Sequence, residues 1–340
     1  MTVTDSDARS QGRLPLRSVP PAAAARSVDV SIAIVTWNSE RWIGRCLAAI
    51  PAACEGLAYE IVIYDNASTD TTLQLVDGCD SGDDRRVIRS HQNDGFAAGV
   101  NRAAAVSNGR FVFLLNPDCV LEPGALTTLL AFLDAHPTVG AAAPLLTSEN
   151  GDEQRAFQLR ELPTLASLSL EVLFHRKTSH HHYRDMDLSE PQRIEQPAAA
   201  ALLIRRQTIE EIGPFDEQFS PAWFEDVDFC QRMAHAGKEI FVVPAARARH
   251  FVGASLEHMP FGAFINVWYR NMWLYARKWL RPPEAEALRW VIIVGMMLRC
   301  VAATIGVAHP EAGRGKALRA YGAVLGKAFN RWDESSRSSS

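Results

Sequence analysis

The sequence predicts a doubly wound α/β fold on a mostly parallel sheet. Three observations carry the prediction. Short apolar runs alternate with stretches whose apolar residues recur at helical spacing. Several of the apolar runs are continuous rather than alternating, as strands covered on both faces require. Polar clusters follow the runs at 36–38, 65–66, 93 and 116–118, the carboxyl edge where such sheets bind ligands.

The first strand is Val28–Thr36 (VDVSIAIVT), and Asn38 or Ser39 caps a helix running through Ile50. Trp42, Ile43, Cys46, Leu47 and Ile50 share that helix's apolar face. Glu60–Tyr64 is a second strand, ended by the turn residues Asp65-Asn66-Ala67-Ser68-Thr69-Asp70. Val87–Ser90 is a third, and Asn93–Asn108 opens with Gly95 and Gly99 before an Ala-rich helix. Arg110–Leu115 is a fourth strand, stopped by Asn116-Pro117-Asp118. Further strands are predicted at Gly140–Leu146, Ala199–Ile204 and Glu239–Val243.

Of the 340 residues, 47% are hydrophobic and 22% charged, and 15 Phe, 8 Trp and 6 Tyr exclude a disordered chain. A net charge of -4 argues against a dedicated nucleic-acid binder. Six cysteines without a CxxC pair point to a reducing compartment rather than a disulfide scaffold. Residues 1–27 are polar and then Pro/Ala-rich, without the apolar core of a secretory signal, and are expected to be a disordered tail. Residues 332–340 read as a second tail.

Between the tails, 28–255 reads as the α/β domain and 256–331 as a basic, aromatic, helical extension close to the membrane. The extension carries a net +7 against -11 for the rest, which suits an anionic membrane surface. Within it, Trp290–Val307 is apolar except for Arg299. An arginine near the middle of a span costs ~2.5–3.5 kcal/mol on insertion scales, so the run is read as an interfacial or packed helix rather than a span. Trp268, Tyr269, Trp273, Tyr275 and Trp279 suit either a headgroup layer or packing onto the main domain.

No GxGxxG or GxxxxGK[ST] follows any strand, so neither glycine cradle for phosphates is present. A diphosphate can instead be neutralised by a divalent cation, which needs a hard carboxylate ligand, and Asp118 at a strand end supplies one. By itself, Asn116-Pro117-Asp118 is equally an Asx-Pro turn.

The ordered motifs SIAIVTWN (31–38), YDNASTD (64–70), NDGFAAGVN (93–101), FLLNPDCVL (113–121) and FDEQFSPAWFEDVDFCQRMAHAG (215–237) narrow the reading. Over about residues 29 to 280 the chain resembles inverting family 2 glycosyltransferases of the GT-A fold, in particular the bacterial rhamnosyltransferase-like branch. The resemblance implies a nucleotide-diphospho-sugar donor contacted by Thr36, Trp37, Asn38, Asp65, Asn66 and Ser68, with Asn93, Gly95, Asn101 and Asn116 shaping the adjoining wall. It implies Mg²⁺ or Mn²⁺ held by Asp118 and His250, Asn116 standing where a strict DxD motif has its first carboxylate. His180-His181-His182 is read instead as a solvated loop.

In the same resemblance Asp226 is the general base and Glu225 its catalytic neighbour, while Trp223 and Asp228 bind the acceptor or support the site. A carboxylate desolvated between aromatics suits a base near neutral pH. Acids at 225, 226 and 228 also suit a plain helix N-terminus. The implied reaction moves L-rhamnose from dTDP-L-rhamnose to a lipid-linked saccharide, polyprenyl-diphosphate-borne, at the cytoplasmic face of the cell membrane. Galactofuranose, glucose or N-acetylglucosamine are alternative sugars. Rivals from other classes are a sugar nucleotidyltransferase, whose usual Gly-rich loop is missing from Trp37-Asn38-Ser39-Glu40-Arg41, and an inactive sugar-binding scaffold.

Overall fold

The computed structural model describes residues 27–79, 85–174, 183, 185–251, 259–306 and 313–332. The tails beyond Trp332 and before Ser27, the His180–His182 segment and the expected boundary at 255/256 lie outside the described residues.

Strands β1 (Val30–Thr36), β2 (Tyr59–Asp65), β3 (Arg85–Arg89), β4 (Phe111–Leu115), β5 (Cys119–Leu121), β6 (Val139–Thr147), β7 (Gln192–Ile194), β8 (Ala201–Arg205) and β9 (Glu239–His250) form one sheet. Its order is β3-β2-β1-β4-β8-β6-β9-β5, with β7 added on β9. The β3-β2-β1-β4 half is parallel, as are β6 and β9. The sheet is mostly parallel, as expected, with β8 running antiparallel to both β4 and β6. The cause is the path of the chain: after β7 it returns to the carboxyl edge, where Gln196, Ala198 and Ala199 line a cleft. Chain from that edge can enter the sheet only downward, and Ala200 starts the descent by accepting the Asn116 N–H at 2.8 Å.

Helices α1 (Ile43–Ala53), α2 (Thr72–Gly78), α3 (Phe96–Ala105), α4 (Ala125–Ala135), α5 (Arg155–Gln158), α6 (Leu165–Phe174), α7 (Arg206–Ile212) and α8 (Glu225–His235) surround the sheet. One face of the sheet packs Ile32, Ile34, Ile61 and Phe113 against α1 and α4. The other packs Val62, Val112 and Leu202 against α3 and α8. The first helix begins later than the capping pattern predicts. Asn38 has a positive φ of 48° and serves the neighbouring loop instead, while Ser39 spends its carbonyl on the N–H groups of Trp42 and Ile43.

Strand β9 outruns its expected end at Val243. Pro244, the next residue, cannot donate to the ladder. Here the register against β6 slips, from Pro144 opposite Val243 to Leu145 opposite Arg247. Pairing then resumes through His250, which lies across from Cys119 of β5. His250 is therefore the last residue of this strand and not, as expected, a residue beyond a connector.

Helices α9 (Phe261–Trp279), α10 (Pro282–Thr304) and α11 (Arg314–Phe329) share a third core with α6. Tyr269, Trp273 and Tyr275 are buried in it, which decides between the two readings of these aromatics in favour of packing. Helix α10 is long and apolar enough to cross a membrane, yet Leu288, Ile292, Ile293 and Met296 along it are buried against its neighbours. At Gly295 an added Cβ would lie 2.8 Å from Val172 of α6, so the helices meet at backbone distance. Withdrawing α10 would uncover the facing side chains of α6, α9 and α11, at ~1.5–3 kcal/mol for each large one.

Candidate active site

A cleft of about 290 Å³ opens at the carboxyl edge of the sheet. Thr36, Trp37, Asn66, Asn93 and Asn116 line one side of it; Arg160, Leu168, Trp223, Glu225, Asp226 and Trp268 line the other. Thr36, Asn66 and Asn116 share one opening because the parallel strands β1, β2 and β4 deliver their carboxyl ends to the same edge.

On the first side, Asp65 is buried and organises rather than opens. One carboxylate oxygen accepts from the Thr36 hydroxyl at 2.8 Å and the Ser68 hydroxyl at 2.6 Å, the other from the Ser68 N–H at 2.9 Å. Ser68 and Asn38 hold the same loop: the Asn38 N–H donates to the Ser68 hydroxyl at 2.9 Å, and the Asn38 side-chain oxygen takes the Thr69 N–H at 2.8 Å. Asn66 bridges to the next loop by accepting from the Asp94 N–H at 3.0 Å. The Asn93 side chain caps Gly95 N–H at 3.0 Å. Gly95 has φ 91°, and a Cβ there would sit 2.8 Å from the Pro221 carbonyl oxygen. Asn101 stands apart from the cleft, exchanging hydrogen bonds with the Phe215 backbone at 2.8 and 2.9 Å. Its expected place in the donor wall is replaced by a tie between α3 and the chain leading to α8.

Below this wall, Asp118 and His250 are buried at 4% exposure each, brought together by the β5–β9 pairing. Ligand atoms of Asp118, Cys119 and His250 lie within 4.8 Å of one another. His250 Nε2 is 3.7 Å from the Asp118 carboxylate. Burial pushes Asp118 up to about 7 and His250 down to about 4, so the contact is not an ion pair at neutral pH despite the distance. Gln154 orients the imidazole: its Oε1 is 3.0 Å from Nδ1, which as donor leaves the Nε2 lone pair toward Asp118. Among the described residues the Asp118 Oδ1 atom has no hydrogen-bond partner. An orphaned buried carboxylate oxygen beside an oriented imidazole is a donor set that fits a divalent cation such as Mn²⁺ or Mg²⁺.

Across the cleft, α8 starts with Glu225 and Asp226. The two preceding residues, Trp223 and Phe224, have φ of 72° and 73°, the left-handed region that costs bulky side chains roughly 1–3 kcal/mol each. Surrounding contacts hold them there. Asn271 of α9, fully buried, donates through its side-chain amide to the carbonyls of Phe219, Ala222 and Trp223 at 3.1, 2.9 and 3.0 Å. From the other side the Phe96 N–H donates to the Pro221 carbonyl at 2.7 Å.

Asp226 is met by two donors on one oxygen, the Arg160 guanidinium and the Gln196 amide, each at 3.3 Å. Its other oxygen accepts the Val227 N–H at 2.8 Å. The carboxyl that aromatic surroundings desolvate is Glu225: burial pushes it well above the usual carboxylate range, and the charge of Asp226 adds to the push. Trp223 lines the cleft as expected, edge-on to Phe264 with ring centroids 4.9 Å apart. Asp228 does not. Its side chain is fully buried and taken up by Arg232 at 3.0 Å, Lys278 at 2.8 Å and the Trp279 indole N–H at 2.8 Å. The acceptor-binding role expected for Asp228 is corrected to a structural one: it pins α8 to α9.

The sequence family described as glycosyl transferase family 2 matches residues 31–213, more than half of the chain. The chain belongs to that family. The chain is 36% identical over 109 residues to the succinoglycan biosynthesis protein ExoU of Rhizobium meliloti, a match covering 32% of this chain and 31% of that one. It is 22% identical over 226 residues to the rhamnosyltransferase WbbL of Escherichia coli, covering 65% of this chain and 83% of the relative. The chain thus spans about a third of the length of the first relative. Among solved structures, a mannosyltransferase from Pyrobaculum calidifontis in complex with GDP-Man and Mn²⁺ superposes with a TM-score of 0.51 at 19% identity, over 91% of this chain and 84% of that one. That likeness bears on the fold alone, which is GT-A.

Four residues that shape this site lie outside the motifs: Arg160, Gln196, Gln154 and Asn271. Arg160 and Gln196 flank irregular chain, where no periodicity marks a side chain for one face. Asn271 offered one usable signal. It is a polar residue amid Trp268, Tyr269, Met272 and Trp273, and an amide buried on an aromatic helix must find partners.

Proposed function

We propose that the enzyme is an inverting, metal-assisted glycosyltransferase in which Asp226 is the general base. The observation that carries the reading is that Asp226 shares one cleft with Thr36, Asn66 and Asn116 at the carboxyl edge of the sheet. The nucleotide-diphospho-sugar occupies the wall of Thr36, Trp37, Asn66 and Asn93, with Asn38, Asp65 and Ser68 shaping it from behind. The acceptor lies against Trp223 and Trp268. In the reaction the acceptor hydroxyl gives its proton to Asp226 as its oxygen bonds to the anomeric carbon. The bond from that carbon to the diphosphate oxygen breaks on the opposite face, so configuration inverts. Arg160 and Gln196 hold the carboxylate on line. Glu225, whose carboxyl is pushed upward by burial and by the charge of Asp226, lines the cleft beside it. Asp118 and His250 are the residues that would hold Mg²⁺ or Mn²⁺, whose chemistry is to stabilise charge on the departing nucleoside diphosphate.

The donor of this reading is dTDP-L-rhamnose and the product a cell-wall or surface polysaccharide, with a polyprenyl-diphosphate-linked saccharide as acceptor. The similarity to WbbL and ExoU supports it. Residues 28–255 make up the catalytic domain and 256–331 the extension that keeps the enzyme at the cytoplasmic face of the membrane. A panel of nucleotide sugars, incubated with membrane extract as acceptor source, tests it. Release of nucleoside diphosphate from dTDP-L-rhamnose alone is the expected result. Release from a UDP- or GDP-sugar instead replaces rhamnose, and formation of a new nucleotide sugar overturns transfer altogether.

A further inference from the structure

Helix α10 presents Trp290, Val294, Met297, Leu298, Val301 and Ile305 outward. Their spacing of four, three, one, three and four residues places them on one side of the helix. Exposure reaches 58% at Leu298, 59% at Val301 and 74% at Ile305. Scattered exposed apolar residues need no explanation, but a contiguous stripe of this size marks an interaction surface.

Two neighbouring features say what it meets. The first is charge. Helix α11 carries Arg314, Lys316, Arg319 and Lys327, all exposed, and no acidic residue. The two helices join at their outer surfaces, since exposed Phe329 of α11 packs edge-on against exposed Trp290 of α10, ring centroids 6.2 Å apart. An apolar stripe beside cations that, among the described residues, have no acid on their own helix fits a surface with an apolar interior and an anionic skin. A second copy of the chain would bring like charges together. The second feature is position. Helix α6 packs on α10 at Gly295 and Arg299, whose guanidinium donates to the Val172 carbonyl at 2.5 Å. Arg299 therefore turns toward α6 instead of reaching outward to headgroups. Ser167, Leu168 and Glu171 of the same short helix line the acceptor side of the cleft, and its last residue, Phe174, is 63% exposed.

We infer that the outer face of α10, with the basic face of α11, is a docking surface for an anionic phospholipid bilayer. The helix lies in the plane of the membrane, its inner face still packed on the enzyme. Helix α6 then connects that surface to the acceptor half of the cleft, so that a sugar on a lipid carrier reaches Asp226 without leaving the bilayer. This last step rests on the glycosyltransferase reading above; the docking does not.

Co-sedimentation of the full chain with vesicles tests the docking without any sugar present. Wild type is expected to bind vesicles of phosphatidylcholine mixed with phosphatidylglycerol more tightly than pure phosphatidylcholine. Lys316→Gln with Arg319→Gln should lose about fivefold in affinity per charge on the mixed vesicles only. Leu298→Gln with Val301→Gln should weaken binding to both. All four positions are exposed, so the thermal midpoint serves as the control for folding. Wild type left in the supernatant, or both double variants binding as it does, overturns the inference. So does a wild-type dimer in sedimentation velocity that Leu298→Gln with Val301→Gln converts to monomer. The link to the cleft is read separately: the apolar double variant should keep its turnover on a soluble saccharide while losing at least tenfold on the vesicle-borne acceptor. Equal loss on both acceptors overturns the link. An enzyme that docks but transfers no sugar to either refutes the proposed function and leaves the docking surface standing.

Discussion

The buried amide of Asn271 lies 3.0 Å from the carbonyl of Trp223, three residues before Asp226 and 48 positions away in the chain. The helix that contributes Asn271 lies beyond the family match at 31–213, yet it fixes the backbone from which α8 and its acids start. Asn271→Ala leaves three carbonyls without this donor, at a cost of about 1–3 kcal/mol in stability. A merely structural loss would stop there. As a positioning residue Asn271 should also cost at least tenfold in kcat with the donor KM unchanged at temperatures where the variant is fully folded. Steady-state kinetics below the unfolding transition check this, and unchanged kcat there refutes the positioning role.

Asp226→Asn preserves shape and can still face Arg160 and Gln196, but an amide does not accept the acceptor's proton. Loss should fall on kcat, by ~10²–10⁴-fold, the usual contribution of a general base, while donor binding measured by calorimetry stays near wild type. Retention of more than about a tenth of wild-type turnover rules out Asp226 as base.

Strands β1, β2 and β4 were legible because parallel strands buried on both sides leave continuous apolar runs, from VSIAIVT to FVFLL. The direction of β8 was not, since apolar patterning is the same read either way along a strand. Pro244 concealed the second half of β9, and with it the reason His250 meets Asp118. Motif residues at strand ends, such as Thr36, Asn66 and Asn116, were placed correctly on the cleft because the strand end alone dictates where they go. Asn101 and Asp228 were not, because a helix surface has several sides and only the packed neighbours decide which is used. For Asp228 those neighbours are Lys278 and Trp279, about 50 residues away.

Asp228→Ala separates the two roles this residue was given. Removing one member of a buried ion pair costs ~3–5 kcal/mol, and the lower end applies because the Lys278 side chain retains 35% exposure. The expected outcome is a lowered thermal midpoint with the acceptor KM unchanged in the folded enzyme. A raised acceptor KM at full stability would return Asp228 to the acceptor site.

Metal binding is where the geometry makes its most specific demand, because it assigns a part to a residue outside the motifs. Asp118→Ala should abolish the difference that Mn²⁺ makes to nucleotide binding in calorimetry, since it removes the buried carboxylate beside His250. Gln154→Leu leaves both proposed ligands in place and removes only the group facing His250 Nδ1. The imidazole is then free to rotate or change tautomer, and loss of such an outer partner typically lowers metal affinity ~10–100-fold. Direct titration of the protein with Mn²⁺, followed by electron paramagnetic resonance of the free ion, measures this without reference to turnover. An unchanged affinity in Gln154→Leu, together with a lost one in Asp118→Ala, would mean that Asp118 holds the ion without His250. Unchanged affinity in both would leave the Asn116-Pro117-Asp118 turn a structural element of the strand end.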